Sequence, residues 1–291
     1  MATTTITPRS SGSAGGASAR RASGFGLALT AFFAILRRDI VVTEREFIAF
    51  LMQVLIQPLF FLFIFGKVLP QIGLASGGFG ALLLPGIVSL TTMLAAMQGV
   101  ALPLVLDLGY AREIDDRLLA PMPRLLVALE KTLFAALRGV IAGGVIFPLA
   151  WWILGSQYSV RTDQIPALIG LLILTALMGA TLGLVLGVLV KPEQIGLMFS
   201  LIMTPLLFTG CTFFPWSGLS SIKWFQIVTL FSPLTYASEG LRYAMTPAVQ
   251  IAGHTVTLAT LDMRWVLLAL VVSIIGFFFI GAWKFIRRVV S

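Results

Sequence analysis

Long apolar runs, broken by short polar stretches bearing proline or glycine, dominate the chain. A helix rises 1.5 Å per residue, so roughly 20 apolar residues match the hydrocarbon of a bilayer. Runs of about that length occupy 47–65 (with Pro58), 81–106 (with Pro85 and Pro103), 125–154, 165–190, 194–214 and 265–283. Each predicts a crossing helix, six in all. Between the fifth and sixth lie two shorter pieces, 222–231 and 234–245, and Glu239 and Arg242 interrupt the second. With a turn at Ser232-Pro233 they read as interfacial or re-entrant helices in a region 215–250.

The N-terminal part follows another pattern. Residues 1–24 are rich in Ser, Thr, Ala and Gly without apolar periodicity, which predicts a disordered cytoplasmic tail. Arg20-Arg21 resembles the start of a twin-arginine signal. The apolar stretch behind it is short, ends at Arg37-Arg38-Asp39, and has no small-residue cleavage site after it. From 25 to 40, Phe25, Leu29, Phe32, Phe33, Leu36 and Ile40 recur at helical spacing, with Arg37 and Arg38 elsewhere. This predicts an amphipathic helix, within 25–44, lying on the membrane surface rather than crossing it.

Composition agrees with lipid as the solvent. Of 291 residues, 58% are hydrophobic and only 11% charged, and the mean hydropathy is +0.99. One core could not hide that much apolar surface in water. A soluble enzyme, a disordered protein and a disulfide scaffold are excluded, the last because Cys211 is the one cysteine. The net charge of +8 points to no nucleic acid, because its distribution along the loops is what carries meaning. With the N-terminus in the cytoplasm, Lys67, Arg161, Lys223, Arg242 and Arg264 fall outside, and Lys131 and Arg138 within the third run. All other Lys and Arg fall inside, which places both termini in the cytoplasm. The third run exceeds the bilayer, so Lys131 is expected at the inner headgroups. For Arg138 two readings stand, snorkelling to the surface or a role inside the membrane.

Candidate chemistry is sparse. No phosphate-cradling G-x-x-x-x-G-K-[ST] pattern, no H-E-x-x-H and no paired intramembrane carboxylates occur. A nucleotide is therefore not hydrolysed by this chain, and neither a metal nor a catalytic site is expected. Asp107, Glu130 and Glu193 lie near the inner ends of runs, not at the midplane where ion-driven carriers place acids. Gly179, Gly183 and Gly187, and Gly139 and Gly143, form small faces for close helix approach, within one subunit or between two. The loop 107–124 predicts a short amphipathic helix at about 111–121: Ile114, Leu118 and Leu119 share a face beside Glu113, Asp115, Asp116 and Arg117, and Pro121 ends it. Its apolar face suits a protein groove. The alternative, a helix resting on headgroups, is opposed by two adjacent aspartates near an anionic leaflet.

Taken in order, the surface helix, six spans, the Arg112-Glu113-x-x-x-Arg117-Leu118-Leu119-x-x-Pro loop and Ser232-Pro233-Leu234-Thr235-Tyr236-Ala237-x-x-Gly240-Leu241-Arg242 resemble the membrane subunit of an ABC-2-type transporter. The resemblance covers about 25–288. It implies an all-α permease domain over 25–291 in a prokaryotic plasma membrane. It also implies a separate ATP-binding cassette ATPase, which binds ATP and Mg, and a second permease subunit. On that resemblance Arg112, Glu113, Asp115, Asp116, Arg117 and Leu118 form the coupling helix and 25–44 the connecting helix. The 215–250 stretch forms an outer cap through Ser232, Pro233, Tyr236, Glu239 and Arg242. Spans two and five would line the route, with Met93, Met97, Gln98, Met203, Phe208 and Phe213 as candidates. Such soft side chains suit a hydrophobic or amphipathic cargo such as a drug or lipid. Glycan export is the alternative within the family. A stand-alone channel or carrier, and a lipid-modifying enzyme built on Asp107, Glu113 and Glu130, are the rivals outside it.

Overall fold

A computed structural model describes residues 26, 30, 32–34, 36–38, 47–74, 79–111, 124–155, 158, 160–245, 248–251, 254–257 and 260–290. The tail 1–24 and the expected coupling residues Arg112, Glu113, Asp115, Asp116, Arg117 and Leu118 lie outside these. The helices are α1 (Phe47–Phe63), α2 (Phe79–Leu106), α3 (Arg124–Leu154), α4 (Ile165–Leu189), α5 (Ile195–Thr209), α6 (Lys223–Thr229), α7 (Pro233–Met245) and α8 (Met263–Val290). α1 runs on through a wider π turn, Ile64–Val68, to Gln71, and α2 ends in another, Asp107–Ala111. Among the described residues, α1 to α4 and α8 are long and apolar enough to cross a membrane. The chain is an α-helical, multi-pass membrane protein.

The fifth expected span departs from that length. α5 has 15 residues, about 22 Å against roughly 30 Å of hydrocarbon. A 3₁₀ turn at Pro192–Gln194 precedes it, and it breaks at Gly210 and Cys211, the latter in the left-handed region with φ 50°. The segment still joins both ends of the bundle: Pro192 packs on Gly109, and Thr212 on Gly86. A second feature is an antiparallel hairpin, β1 (Ala248–Ile251) with β2 (His254–Thr257), at and beyond the end of the 215–250 region.

α2 is the hub, packed by α3, α4 and α7 and buried along nearly its whole length. Lipid tails are as apolar as the helices, so close backbone approach must hold them together. Gly179 and Gly183 of α4 lie against the carbonyls of Met93 and Met97, and Gly143 of α3 against Thr92. Both small faces are thus used inside one subunit. Charge and tryptophan mark the two ends. At one end Phe32 and Leu36 of the N-terminal segment pack with Val188 and Phe285. There Arg288 donates to the Val188 carbonyl, and the Arg287 guanidinium lies 3.9 Å from the Trp283 ring. Among the described residues of this segment Phe32 is buried and Phe33 exposed. At the other end Trp151, Trp152 and Trp265 are exposed, as at a membrane interface.

Candidate functional site

The re-entrant region folds into the bundle instead of resting on it. α7 is buried on most sides by α2, α4 and α8. Its polar groups form a clasp on the chain after α5. Glu239 and Arg242, both wholly buried, pair with each other. Glu239 Oε1 accepts from the Trp216 N–H at 3.0 Å, and Arg242 Nη2 donates to the Cys211 carbonyl at 3.0 Å. A buried ion pair survives only with such extra partners. The strained Cys211 turn is thereby fixed on α7. Ser238 shares a 2.7 Å hydrogen bond with Ser89 of α2. The Thr235 hydroxyl lies 2.8 Å from the Thr209 carbonyl and 2.6 Å from that of Thr229. The Tyr236 hydroxyl donates to the Leu230 carbonyl at 2.9 Å. Pro233 begins α7, and Ser232 is buried at the turn before it. The five residues expected to form a cap lie on α7 or at the turn before it.

Outside the spans, Arg161 donates its backbone N–H to the Met245 carbonyl at 3.2 Å, joining the α3–α4 loop to the end of α7. Its side chain hydrogen-bonds Asp163, which holds that exposed carboxyl below the usual carboxylate range.

The lining candidates divide. Met93 and Met97 are completely buried, and their backbone carbonyls lie against Gly179 and Gly183 where α2 meets α4. Gln98 and Met203 do line a crevice between α1, α2 and α5. Phe208 is 54% exposed on the outside of α5. Phe213 stacks with Phe61 and Phe65, ring centres 5.2 and 5.7 Å away, at the far end of α1. Sequence reasoning missed the α1 wall. Gln53 and Gln57 stand one turn apart on it, Pro58 beside them, opposite Thr91 and Gln98. A glutamine pair at i, i+4 inside an apolar run was the available signal.

Two adjoining cavities of about 50 and 70 Å³ make up this crevice, sharing Gln53, Val54, Ala95 and Gln98. The first is walled by apolar groups that include Phe61, Leu90, Leu94 and Met203. The second ends at Arg138, whose guanidinium carbon lies 4.2 Å from the centre of the Phe50 ring. Arg138 is thus turned onto α1 and into the crevice. Lys131 is 8% exposed and donates to Asp107 Oδ2 at 2.9 Å, tying the start of α3 to the end of α2. Glu130 beside it is buried. Residues 112–123 connect these two tied ends in sequence. Among the described residues no group of His, Cys, Asp or Glu could hold a metal ion.

A family model for ABC-2 type transporters matches residues 30–246. No curated protein matches the chain. The matched stretch takes in the N-terminal segment from residue 30, α1 to α5 and the α7 clasp, three quarters of the molecule. The chain belongs to the ABC-2 type transporter family and is a membrane-spanning permease component of an ABC transporter.

Proposed function

We propose that this chain is one half of a paired permease that exports a hydrophobic or amphipathic small molecule or lipid across a prokaryotic plasma membrane. A separate ATP-binding cassette subunit, holding ATP and Mg, drives it through the 111–121 loop. The observation that carries this reading is the crevice between α1, α2 and α5. Amides and a hydroxyl (Gln53, Gln57, Gln98, Thr91) face apolar groups across it at membrane depth. Such a mixed wall fits a cargo with both characters better than a bare ion or a long glycan. α5 supports the pairing: Leu197, Leu201 and Phe208 are exposed on it, while Met198 and Leu206 alone are buried there among its described residues. A second subunit or lipid must cover that face. Glu113, Asp115, Asp116 and Arg117 would fix the register of the loop in an ATPase groove.

Reconstitution tests this directly. The chain is co-expressed with a candidate ATP-binding cassette ATPase, purified, and placed in vesicles with a fluorescent amphiphile. Transport that requires both ATP and the second protein is expected. Movement by the chain alone would refute it in favour of a channel or carrier.

A further inference from the structure

We propose that the flank of α1 facing α3 holds an anionic phospholipid, its phosphate at Lys67 and one acyl chain along the seam. The site needs only the membrane-spanning fold, and neither a cargo nor an ATPase. A groove of about 450 Å³ runs from Ile56 to Lys67 on α1, with Trp152 and Ile153 of α3 as its other wall. Those 11 residues make about 16 Å of helix, half of the roughly 30 Å of hydrocarbon and so the depth of one leaflet. A wholly apolar groove of about 290 Å³ continues it toward Ile48. The seam therefore has one charged end, where Lys67 is the only cation in the lining and no carboxylate takes part. It is separate from the crevice: Leu59 and Phe60 line the groove, whereas Pro58 and Phe61 line the crevice on the other side of α1.

Three observations point to the occupant. First, the acids at this end are engaged elsewhere: Asp163 with Arg161, Glu239 with Arg242, and Asp262 with the Arg264 N–H at 3.0 Å. Among the described residues no carboxylate pairs with Lys67, so its counter-charge must come from outside the chain. Second, Lys67 lies in the π turn Ile64–Val68, a distortion frequent at functional sites. Gly66 in that turn is buried against α3, where an added Cβ would lie 2.7 Å from Leu154 Cδ2. The ammonium is thereby held at a fixed level of the seam. Third, Trp152 is exposed at the same end and brings an indole N–H to headgroup depth. Ammonium and indole can both donate to phosphate oxygens. A chain gains little by leaving the bilayer for a groove that is equally apolar, so selectivity must lie in the head. Phosphatidylglycerol offers Lys67 a net negative charge, whereas phosphatidylcholine adds a cation beside it.

Trp152 reports occupancy through its own fluorescence. The full chain is placed in phosphatidylcholine vesicles containing graded fractions of a quencher lipid brominated near the head, either phosphatidylglycerol or phosphatidylcholine. The Trp152 signal is the difference between each protein and its Trp152→Phe counterpart. Brominated phosphatidylglycerol should reach half-quenching at about a fivefold lower fraction than brominated phosphatidylcholine. Lys67→Gln should bring the two curves together by moving only the first, and Lys67→Arg should keep most of the separation. Coincident curves in the unaltered chain would refute the proposal without any variant, and so would an undiminished preference in Lys67→Gln. Trp151, exposed beside Trp152 but outside the groove lining, serves as the control. Its signal, read in the same way through Trp151→Phe, should show no preference. Equal preference at both tryptophans would mean general enrichment of anionic lipid around a basic protein, which overturns the site. Quenching of Trp152 by neither lipid would mean that a second copy of the chain covers the groove, and would overturn it as well.

Discussion

Two glycines on α4 should respond to the same substitution with opposite sign. A Cβ added at Gly179 would lie 2.2 Å from the Met93 carbonyl oxygen, where ordinary contact begins at 3.4 Å. The obstruction is helix backbone and cannot rotate away. α2 and α4 would have to part by about 1 Å along most of a close-packed seam. Overpacking of this kind costs about 1–3 kcal/mol. Gly170, nine residues earlier on the same helix, has nothing within 4 Å of its added Cβ. There alanine only improves helix propensity, by up to about 1 kcal/mol on aqueous scales. Gly179→Ala should therefore unfold earlier than the parent, and Gly170→Ala at the same point or later. Unfolding in mixed micelles with rising dodecyl sulfate, followed by circular dichroism, reads the difference. Gly183→Ala should resemble Gly179→Ala, its Cβ meeting the Met97 carbonyl at 2.4 Å. If Gly179→Ala proves as stable as Gly170→Ala, α2 and α4 do not meet at this seam.

Further outcomes follow from the clasp and the loops. Glu239→Ala leaves the buried Arg242 cation without its carboxylate, at a cost of about 3–5 kcal/mol, so folded yield should collapse. Glu239→Gln keeps an acceptor for Trp216 and should be milder, as thermal unfolding in detergent would record. Ser89→Ala removes the partner of Ser238 and should cost about 1 kcal/mol, most of it restored in the Ser89→Ala, Ser238→Ala double variant. Replacing Glu113 and Arg117 together by alanine should abolish ATP-driven transport with insertion intact. Retained transport would contradict the coupling role. A cysteine placed at Gly253 should react with an impermeant maleimide from outside only. Native Cys211, fully buried, should stay unlabelled in the intact protein, and labelling from the cytoplasm alone would invert the topology.

The sequence carried the fold through its apolar run lengths, because in lipid a crossing segment must bury its own backbone polar groups as helix. It overstated α5, since an apolar run continues through Gly210–Phe214 although the helix breaks at Gly210 and Cys211. Hydropathy registers composition, not φ. The hairpin at 248–257 was invisible for the same reason: its short strands carry no long apolar pattern. The glycine ladders were legible as small faces, but their partner was not. Only helix phase shows that they meet the backbone of Met93 and Met97. Soft apolar residues on a central helix look alike whether they pack or line. The polar residues of α1, Gln53 and Gln57, were the clearer signal, because an amide at membrane depth needs a partner or water.

The Asp107–Lys131 bond bears on how a stroke could reach the crevice. The loop 112–123 hangs between the end of α2 and the start of α3, and this 2.9 Å bond ties those two points together. On the proposed reading, a push on the loop moves α2 and α3 as one body, with α4 carried along through the glycine seams. α1 and α5, packed far more thinly, are then displaced relative to that body, and the crevice between them opens or closes. Two variants separate transmission from folding. Asp107→Asn alone leaves the buried Lys131 charge without its carboxylate and should destabilise the protein. Adding Lys131→Met removes the charge and should restore folded yield. If the bond transmits the stroke, the double variant, assembled with its ATPase, should still hydrolyse ATP while transport falls severalfold. Transport at the parent rate in a stable double variant would show that α2 and α3 move together without it.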